Sequence, residues 1–480
     1  MLEKNYSVST MMTTYLTGGI MRHLRLIALL TCIALVAMLA LSNVAVAQTK
    51  GMIGINVVLK TDVTKAILTD LGTHGTVRGV LAEIKAVAVQ AKASELAAIQ
   101  ALPYVASANP DAERKAIPVT TAVATTDYSG GISTWDLDAI NVTDFGSTTR
   151  QVDYDGKGVY VAVVDTGLVN NWPYYFPAER IATKYAVCFG GGGGEQGNIS
   201  TPTNKWTEDQ NSHGTHVTST ILGYNLSGTP VNGVAPMATV IPVKVLNQNG
   251  SGWSSVVAAG ITYVGDLKKV GGPLHNSPVV INMSLGGPDL DVMEKAAIDY
   301  AITQGVIIVA AAGNEGTAGM GYPGAYEPVI SVAASGWIGE WSVSGSWWRT
   351  LDVPDPTKPA DYYITDFSSR QLTGQDLDVA APGSWCIGPY QKNGQVSYYY
   401  LGGTSMASPH VAGIVALMAQ KCPTLTAASA ESILETTAIP LPGGTRNIVD
   451  PNIGPTTISW GDDASGHGLA TANAALTGTP

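Results

Sequence analysis

Charge is scarce in this 480-residue chain: 13% of residues are Asp, Glu, Lys or Arg, against 45% hydrophobic. A disordered chain needs the opposite balance, so the composition excludes that class and implies a sizeable core in two or three domains. Phenylalanine is rare, with four copies, so aliphatic side chains, tyrosine and tryptophan must fill that core. Cysteine is equally rare: Cys32, Cys188, Cys386 and Cys422. Their spacings match no zinc pattern. Cys32 lies in an apolar leader, and the other three allow at most one intramolecular disulfide, for which Cys386–Cys422 is the expected pair. Basic residues are outnumbered where it matters. Residues 131–480 hold 15 Lys and Arg against 29 Asp and Glu, whereas residues 1–130 hold 11 against 8. An acidic body excludes nucleic acid and anionic membrane as partners. No internal repeat is visible.

Long apolar runs are absent but for one, Leu26–Leu41, which follows Arg22 and Arg25 and leads to Ala45-Val46-Ala47. A basic start, an apolar stretch and small residues at the end make a secretory signal peptide over 1–47, with Met21 as an alternative start. The run falls short of the roughly 20 residues a spanning helix prefers. The chain is therefore expected to be secreted, extracellular or periplasmic, with no stable membrane anchor.

Glycine, by contrast, is plentiful, with 54 copies. Residues 48–117 read as a small unit of order βα(ββ)αβ: a strand over Asn56–Leu59, a helix over Thr61–Leu71 capped by Thr61 or Asp62, a second helix from Ser94, and a last strand over Tyr104–Ala108. Residues 109–131 are rich in Pro, Thr and Ala and read as an exposed linker, with a maturation site expected in 118–133. From 134 the pattern changes. Val159–Val164, Val240–Val245, Val279–Met283, Val306–Ala311 and Val329–Ala333 are short apolar runs without alternation, as strands buried on both faces require. Helical stretches lie between them. The fold class is α/β, a doubly wound, mainly parallel sheet with helices on both faces, preceded by a small α+β domain. Two insertions stand out, near 190–206 and 335–365. The second carries Trp337, Trp341, Trp347, Trp348, Tyr362 and Tyr363 and is expected to be a packed surface hairpin rather than a substrate flap.

In such sheets the site lies beyond the carboxyl ends of the strands, and glycine turns there present isolated polar residues. Val164-Asp165-Thr166-Gly167, Asn282-Met283-Ser284-Leu285-Gly286-Gly287 and Ala312-Gly313-Asn314-Glu315-Gly316 each follow a strand. Gly402-Gly403-Thr404-Ser405-Met406-Ala407-Ser408-Pro409-His410 leads into an apolar helix over Val411–Ala419, with Pro409 placed in its first turn. A serine at a helix start is commonly a cap, but the unpaired N–H groups there also suit an oxyanion. A serine nucleophile needs a base, and the base an orienting acid. The order Asp165…His213…Ser405 supplies both, whereas the Ser…Asp…His order of α/β-hydrolases finds no partners. His216, three residues from His213, finds no third metal ligand and reads as structural.

These stretches resemble the subtilisin-like serine proteases (subtilase family, peptidase S8). The likeness covers about 130–475 and is carried by Val163-Val164-Asp165-Thr166-Gly167, His213-Gly214-Thr215-His216-Val217, Ala312-Gly313-Asn314-Glu315-Gly316 and Gly403 to His410. More loosely, 50–110 resembles the family's inhibitor-like propeptide. The resemblance implies a secreted serine endopeptidase, made as an autoprocessed zymogen and expected to be monomeric, that hydrolyses polypeptides through an acyl-enzyme. Asp165, His213 and Ser405 would be the triad and Asn314 the oxyanion donor. Ser284, Leu285 and Gly286 would form one rim of the substrate cleft and Gly250 and Gly252 the other. Gly286 and Gly313 would leave an open slot for an uncharged P1 side chain. The propeptide would inhibit its own enzyme. No cofactor is implied for catalysis. A structural calcium ion is left open, since Tyr174 stands where subtilisins commonly carry a calcium-binding Asp, and Asp153–Gly156 reads as a turn. A serine-carboxyl peptidase would need Glu and Asp near the positions of His213 and Asn314, and a catalytically inactive binding protein of the same fold would not need the triad intact.

Overall fold

The computed structural model describes residues 51–116, 123–124, 133–144, 150–190, 196, 198–200, 204–342, 352–392 and 395–480. The leader at 1–47, Trp347, Trp348, most of the 118–133 linker and parts of both insertions lie outside the described residues.

The N-terminal unit has the expected order: β1 (Met52–Leu59), α1 (Lys65–His74), β2 (Gly75–Leu81), β3 (Ala86–Lys92), α2 (Leu96–Gln100) and β4 (Val105–Pro110). Its sheet runs β2-β3-β1-β4, antiparallel throughout. Helix α1 starts later than its sequence suggests, because Thr64 is the cap: its hydroxyl accepts from the Ile67 N–H at 3.3 Å. Ile55, Val57, Leu71, Val87, Val89 and Ile99 form this unit's own core. The stretch expected to be linker is not all exposed. Asp111 is buried, and Glu113–Ala116 forms strand β5.

The main sheet comprises β6 (Tyr160–Asp165), β7 (Val187–Cys188), β8 (Thr239–Lys244), β10 (Val279–Met283), β12 (Val306–Ala311), β13 (Ile330–Trp337), β14 (Tyr362–Ile364) and β15 (Val379–Pro382), with the short β9 (Ser251–Trp253) and β11 (Leu285–Gly286) outside it. The order is β14-β13-β12-β10-β6-β8-β7, with β15 also on β13. Every pairing is parallel except β13 with β14. Strand alternation sends Val161, Val163 and Val280 to one face and Ala162, Val164 and Ile281 to the other. The first face is covered by α3 (His213–Leu222) and α6 (Thr404–Lys421), the second by α4 (Ser254–Lys268) and α5 (Val292–Thr303). Both faces are apolar, which is why these strands read as unbroken apolar runs.

Three expectations are corrected. Cys188, Cys386 and Cys422 are all free thiols. Cys386 opens β16 (Cys386–Lys392), which pairs with β17 (Gln395–Leu401), the strand leading into α6, while Cys422 follows the far end of that helix. Eighteen helical residues span about 27 Å, far beyond disulfide reach. Helix α6 begins at Thr404, so Pro409 sits in its second turn and not its first. The aromatic insertion is packed, but into the interior rather than on the surface. Trp337, Tyr362 and Tyr363 are buried, and Trp341 meets Trp385 and Tyr400 edge-on at 6.0 and 5.3 Å.

Candidate active site

Neighbouring strands β12, β10 and β6 end side by side, and their loops deliver Asn314, Ser284 and Asp165. Asp165 is the last residue of β6 and fully buried. Its carboxylate accepts from His213 Nδ1 at 2.8 and 2.9 Å through its two oxygens, and from the Thr166 N–H at 2.6 Å. His213 is the first residue of α3, fixed from both sides. Ser212 before it holds a left-handed φ of 68°, with its N–H on the Asp209 carboxylate at 2.7 Å, and the Gly214 N–H donates to Thr166 Oγ1 at 2.8 Å. His213 Nε2 carries no hydrogen bond. A carboxylate on Nδ1 fixes the proton there and leaves Nε2 as the basic nitrogen.

Ser405 is the second residue of α6, in the first helical turn. Its hydroxyl donates to the Ser284 carbonyl at 3.0 Å, and Ser284 Oγ returns a bond to the Ser405 carbonyl at 2.8 Å. That carbonyl is available because Pro409, four residues on, has no N–H to donate. Asn314 Oδ1 accepts from the Thr404 N–H and hydroxyl, both at 3.0 Å, which turns the amide NH2 away from Thr404. Asn282 ties the assembly together. It donates to Ser284 Oγ at 3.0 Å and accepts from Ser408 Oγ at 2.7 Å. Asn282 and Asp209 escaped the sequence reading, since one lies within a strand and the other in a polar loop. The motif context Asn282-Met283-Ser284 was the available signal.

The two expected rims are strands, and a third strand runs between them. β5 pairs antiparallel with β9 on one side and β11 on the other. Gly252 faces Arg114, Gly286 faces Lys115 and Leu285 faces Ala116. Gly250 turns the β9 rim with a φ of 69°. A Cβ on Gly252 would meet the Val245 carbonyl at 2.5 Å, so only glycine lets the rim lie flat there. Gly313 has no room for a side chain. Its φ is 111°, and a Cβ would collide with Glu315 Oε2, Ser369 Oγ and the Gly321 nitrogen. A cleft of about 680 Å³ does open beside it, lined by Lys115, Gly286, Gly287, Glu315, Met320 and Gln375.

His216 is fully buried in α3. Burial, and then the charge of His213, push its pKa down to about 3, so it stays neutral. Burial pushes Asp209 up to about 6, against the pull of Lys244. Among the described residues, three clusters bring metal-ligating atoms close: Asp136, Cys386 and His410; Asp138, Asp144 and Asp352; and Asp376, Asp378 and Glu431. In the first, His410 Nε2 already bonds Asp136 at 2.9 Å and Nδ1 the Met406 carbonyl at 2.8 Å. The loop near Tyr174 is closed by protein groups. Asn225 donates to the Tyr174 carbonyl at 3.0 Å and accepts from the Gly228 N–H at 2.8 Å. Asp155 serves its own turn, accepting from the Lys157 N–H at 3.0 Å.

A buried Asp165–His213 pair, with His213 on a helix that packs against the one carrying Ser405, fits a serine hydrolase of subtilisin-like architecture. The model of the subtilase family matches residues 156–476, and the chain belongs to that family and is a serine endopeptidase. It is 36% identical to subtilisin DY of Bacillus licheniformis over 289 residues, 59% of this chain and 85% of that protein. It is 34% identical to thermitase of Thermoactinomyces vulgaris over 267 residues, 56% of this chain and 77% of that protein. Among solved structures, fervidolysin of Fervidobacterium pennivorans, a keratinolytic enzyme related to subtilisin, matches with a TM-score of 0.63 at 25% identity, covering 90% of this chain and 62% of that one. Catalysis in the family needs no cofactor. No described helix is long and apolar enough to cross a membrane.

Proposed function

We propose that the chain is a secreted, self-processing zymogen that cleaves polypeptides through an Asp165–His213–Ser405 triad. The observation that carries this reading is the buried Asp165–His213 bond, which leaves Nε2 unbonded. Rotation of Ser405 about its Cα–Cβ bond frees its hydroxyl from the Ser284 carbonyl for Nε2. Ser405 Oγ attacks the scissile carbonyl carbon while His213 takes its proton. Asp165 holds the tautomer and stabilises the imidazolium. The Asn314 amide and the Ser405 N–H receive the oxyanion. His213 then protonates the leaving amine, and water, deprotonated by the same nitrogen, releases the acyl group.

In this reading residues 48–117 are the propeptide. Its strand β5 lies where a substrate adds as a strand between β9 and β11, so the unit inhibits by filling the channel. The maturation cut then falls beyond Ala116 and before Ser133, which is already buried in the main domain. A monomer without a membrane anchor completes the reading. The fervidolysin match, reaching well beyond residues 156–476, supports one chain carrying both parts. The test is to express residues 48–480 with and without Ser405→Ala. The wild type should shorten itself within 116–133 and label with an organophosphonate. A wild type that does neither is no protease.

A further inference from the structure

We propose that Glu294 gives the cleft a binding subsite for an arginine side chain, four residues before the bond that is cut. The proposal rests on the protease reading above and specifies what that cleft selects.

Register supplies the count. Lys115 faces Gly286 and Ala116 faces Leu285, so a substrate strand bound in the same register would set its next residue against Ser284, whose carbonyl touches Ser405 Oγ. A residue held there presents its carbonyl to the nucleophile. Counting it as the first, Arg114 is the fourth. In this chain Pro118 comes next after that position, so β5 gives the register of the acyl side, and a substrate brings its own residues to it.

The Arg114 side chain is fully buried, an unusual place for a guanidinium. Its Nε and Nη2 form a fork on Glu294, with Nε 3.2 and 3.1 Å from the two carboxylate oxygens and Nη2 2.5 Å from the nearer one. Nη2 also donates to the Asp289 carbonyl at 2.9 Å, and Nη1 to the Glu113 carbonyl at 3.1 Å. Gly287 makes the room, since a Cβ there would lie 2.7 Å from Nη1. Glu294 stands in the first turn of α5, capped by Asp291, whose carboxylate accepts from the Met293 and Glu294 N–H groups at 2.8 and 3.1 Å. Burial works against the Arg114 charge, but Glu294 outweighs it, and Asp291 and Asp111 add to the negative field.

Once β5 leaves, Glu294 is a buried acid without its partner. A substrate arginine restores the fork, whereas an apolar side chain strands the carboxylate. Lysine has no planar fork to match two oxygens and a carbonyl.

The experiment compares two fluorogenic peptides, identical except for Arg or Leu at the fourth residue before the cleaved bond, on the matured wild-type enzyme. The arginine peptide should win by about 10- to 100-fold in kcat/KM, as for a hydrogen-bonded charged group. Because Glu294→Leu alone leaves Arg114 unpaired in the precursor, the variant is the pair Arg114→Leu with Glu294→Leu, and its preference should invert. Equal cleavage of the two peptides by the wild type overturns the subsite, as does an arginine preference that survives the double substitution. Organophosphonate labelling without cleavage of the arginine peptide sinks the subsite alone. Neither labelling nor cleavage sinks the protease reading with it.

Discussion

The four-stranded unit at 52–110 and the eight-stranded domain behind it are each held by aliphatic cores, but the seam between them is built differently. Ile84, Ala86 and Ala88 supply a small apolar contact to the main domain. The rest is polar. Asn56 donates to Asp111, Ser254 and Asp291 at 3.1, 3.2 and 2.9 Å. Asp111 takes the Ser255 N–H and hydroxyl at 2.9 and 2.7 Å. Arg114 locks onto Glu294. Apolar burial is indifferent to direction, so it makes each core tolerant. A network of buried hydrogen bonds is satisfied in one arrangement only. The polar part of the seam therefore fixes where β5 lies, which suits the proposed maturation, in which two closely fitted parts separate.

That contrast can be broken in graded steps. The largest effect is expected from Ser405→Ala, which should reduce peptide hydrolysis by about 10⁴-fold or more and keep the two regions in one uncut chain on a denaturing gel. Asn314→Ala should slow the same separation about 100- to 1,000-fold, the loss seen for one oxyanion donor in subtilisin, read as the rate at which the precursor band disappears. Within the uncut Ser405→Ala background, Arg114→Ala attacks the seam alone. It leaves Glu294 buried and unpaired, a loss of about 3–5 kcal/mol. Amides of β1 to β4 should then exchange hydrogen faster, while those of β10 and β12 keep their protection. Asn56→Ala should do the same more weakly, at about 1–3 kcal/mol. Equal loosening of both regions by either change would refute a separable seam.

An effect confined to acid, absent at neutral pH, lies inside the main domain. His216 has its pKa held near 3 by burial, against about 6.5 in an unfolded chain. Between those values the unfolded state binds the extra proton, so this group's contribution to stability falls as pH drops from about 6.5 towards 3. His216→Phe should flatten the fall in Tm over that window, and a Tm profile parallel to the wild type would exclude the histidine as its source.

How much of this was legible in the sequence follows from how local each signal is. β6, β8, β10, β12 and β13 lie on the apolar runs because burial on both faces writes itself into consecutive residues. Asp165, His213, Ser405 and Asn314 stood out because each sits in a short glycine-containing motif. β5 was not legible. Its pairing depends on β9 and β11, more than 130 residues away, and nothing in Glu113-Arg114-Lys115-Ala116 alternates in hydrophobicity. Glu294 carries no signal in the sequence, because its partner Arg114 lies 180 residues away. Pro409 was placed one turn too early because the proline signal is local, whereas the Ser284 hydroxyl that satisfies the freed carbonyl arrives from the turn between β10 and β11. The Cys386–Cys422 pair failed for a related reason: closeness in sequence says nothing about opposite ends of one helix.

Ser284 and Ser405 hold one another by two reciprocal bonds, one of them made available by Pro409. In the proposed mechanism, the edge on which a bound strand is measured off and the atom that attacks it therefore share one origin. If α6 shifts, the ruler moves with the blade. Such an enzyme should give clean ends, cutting each bound segment at a single bond instead of fraying it over neighbouring ones.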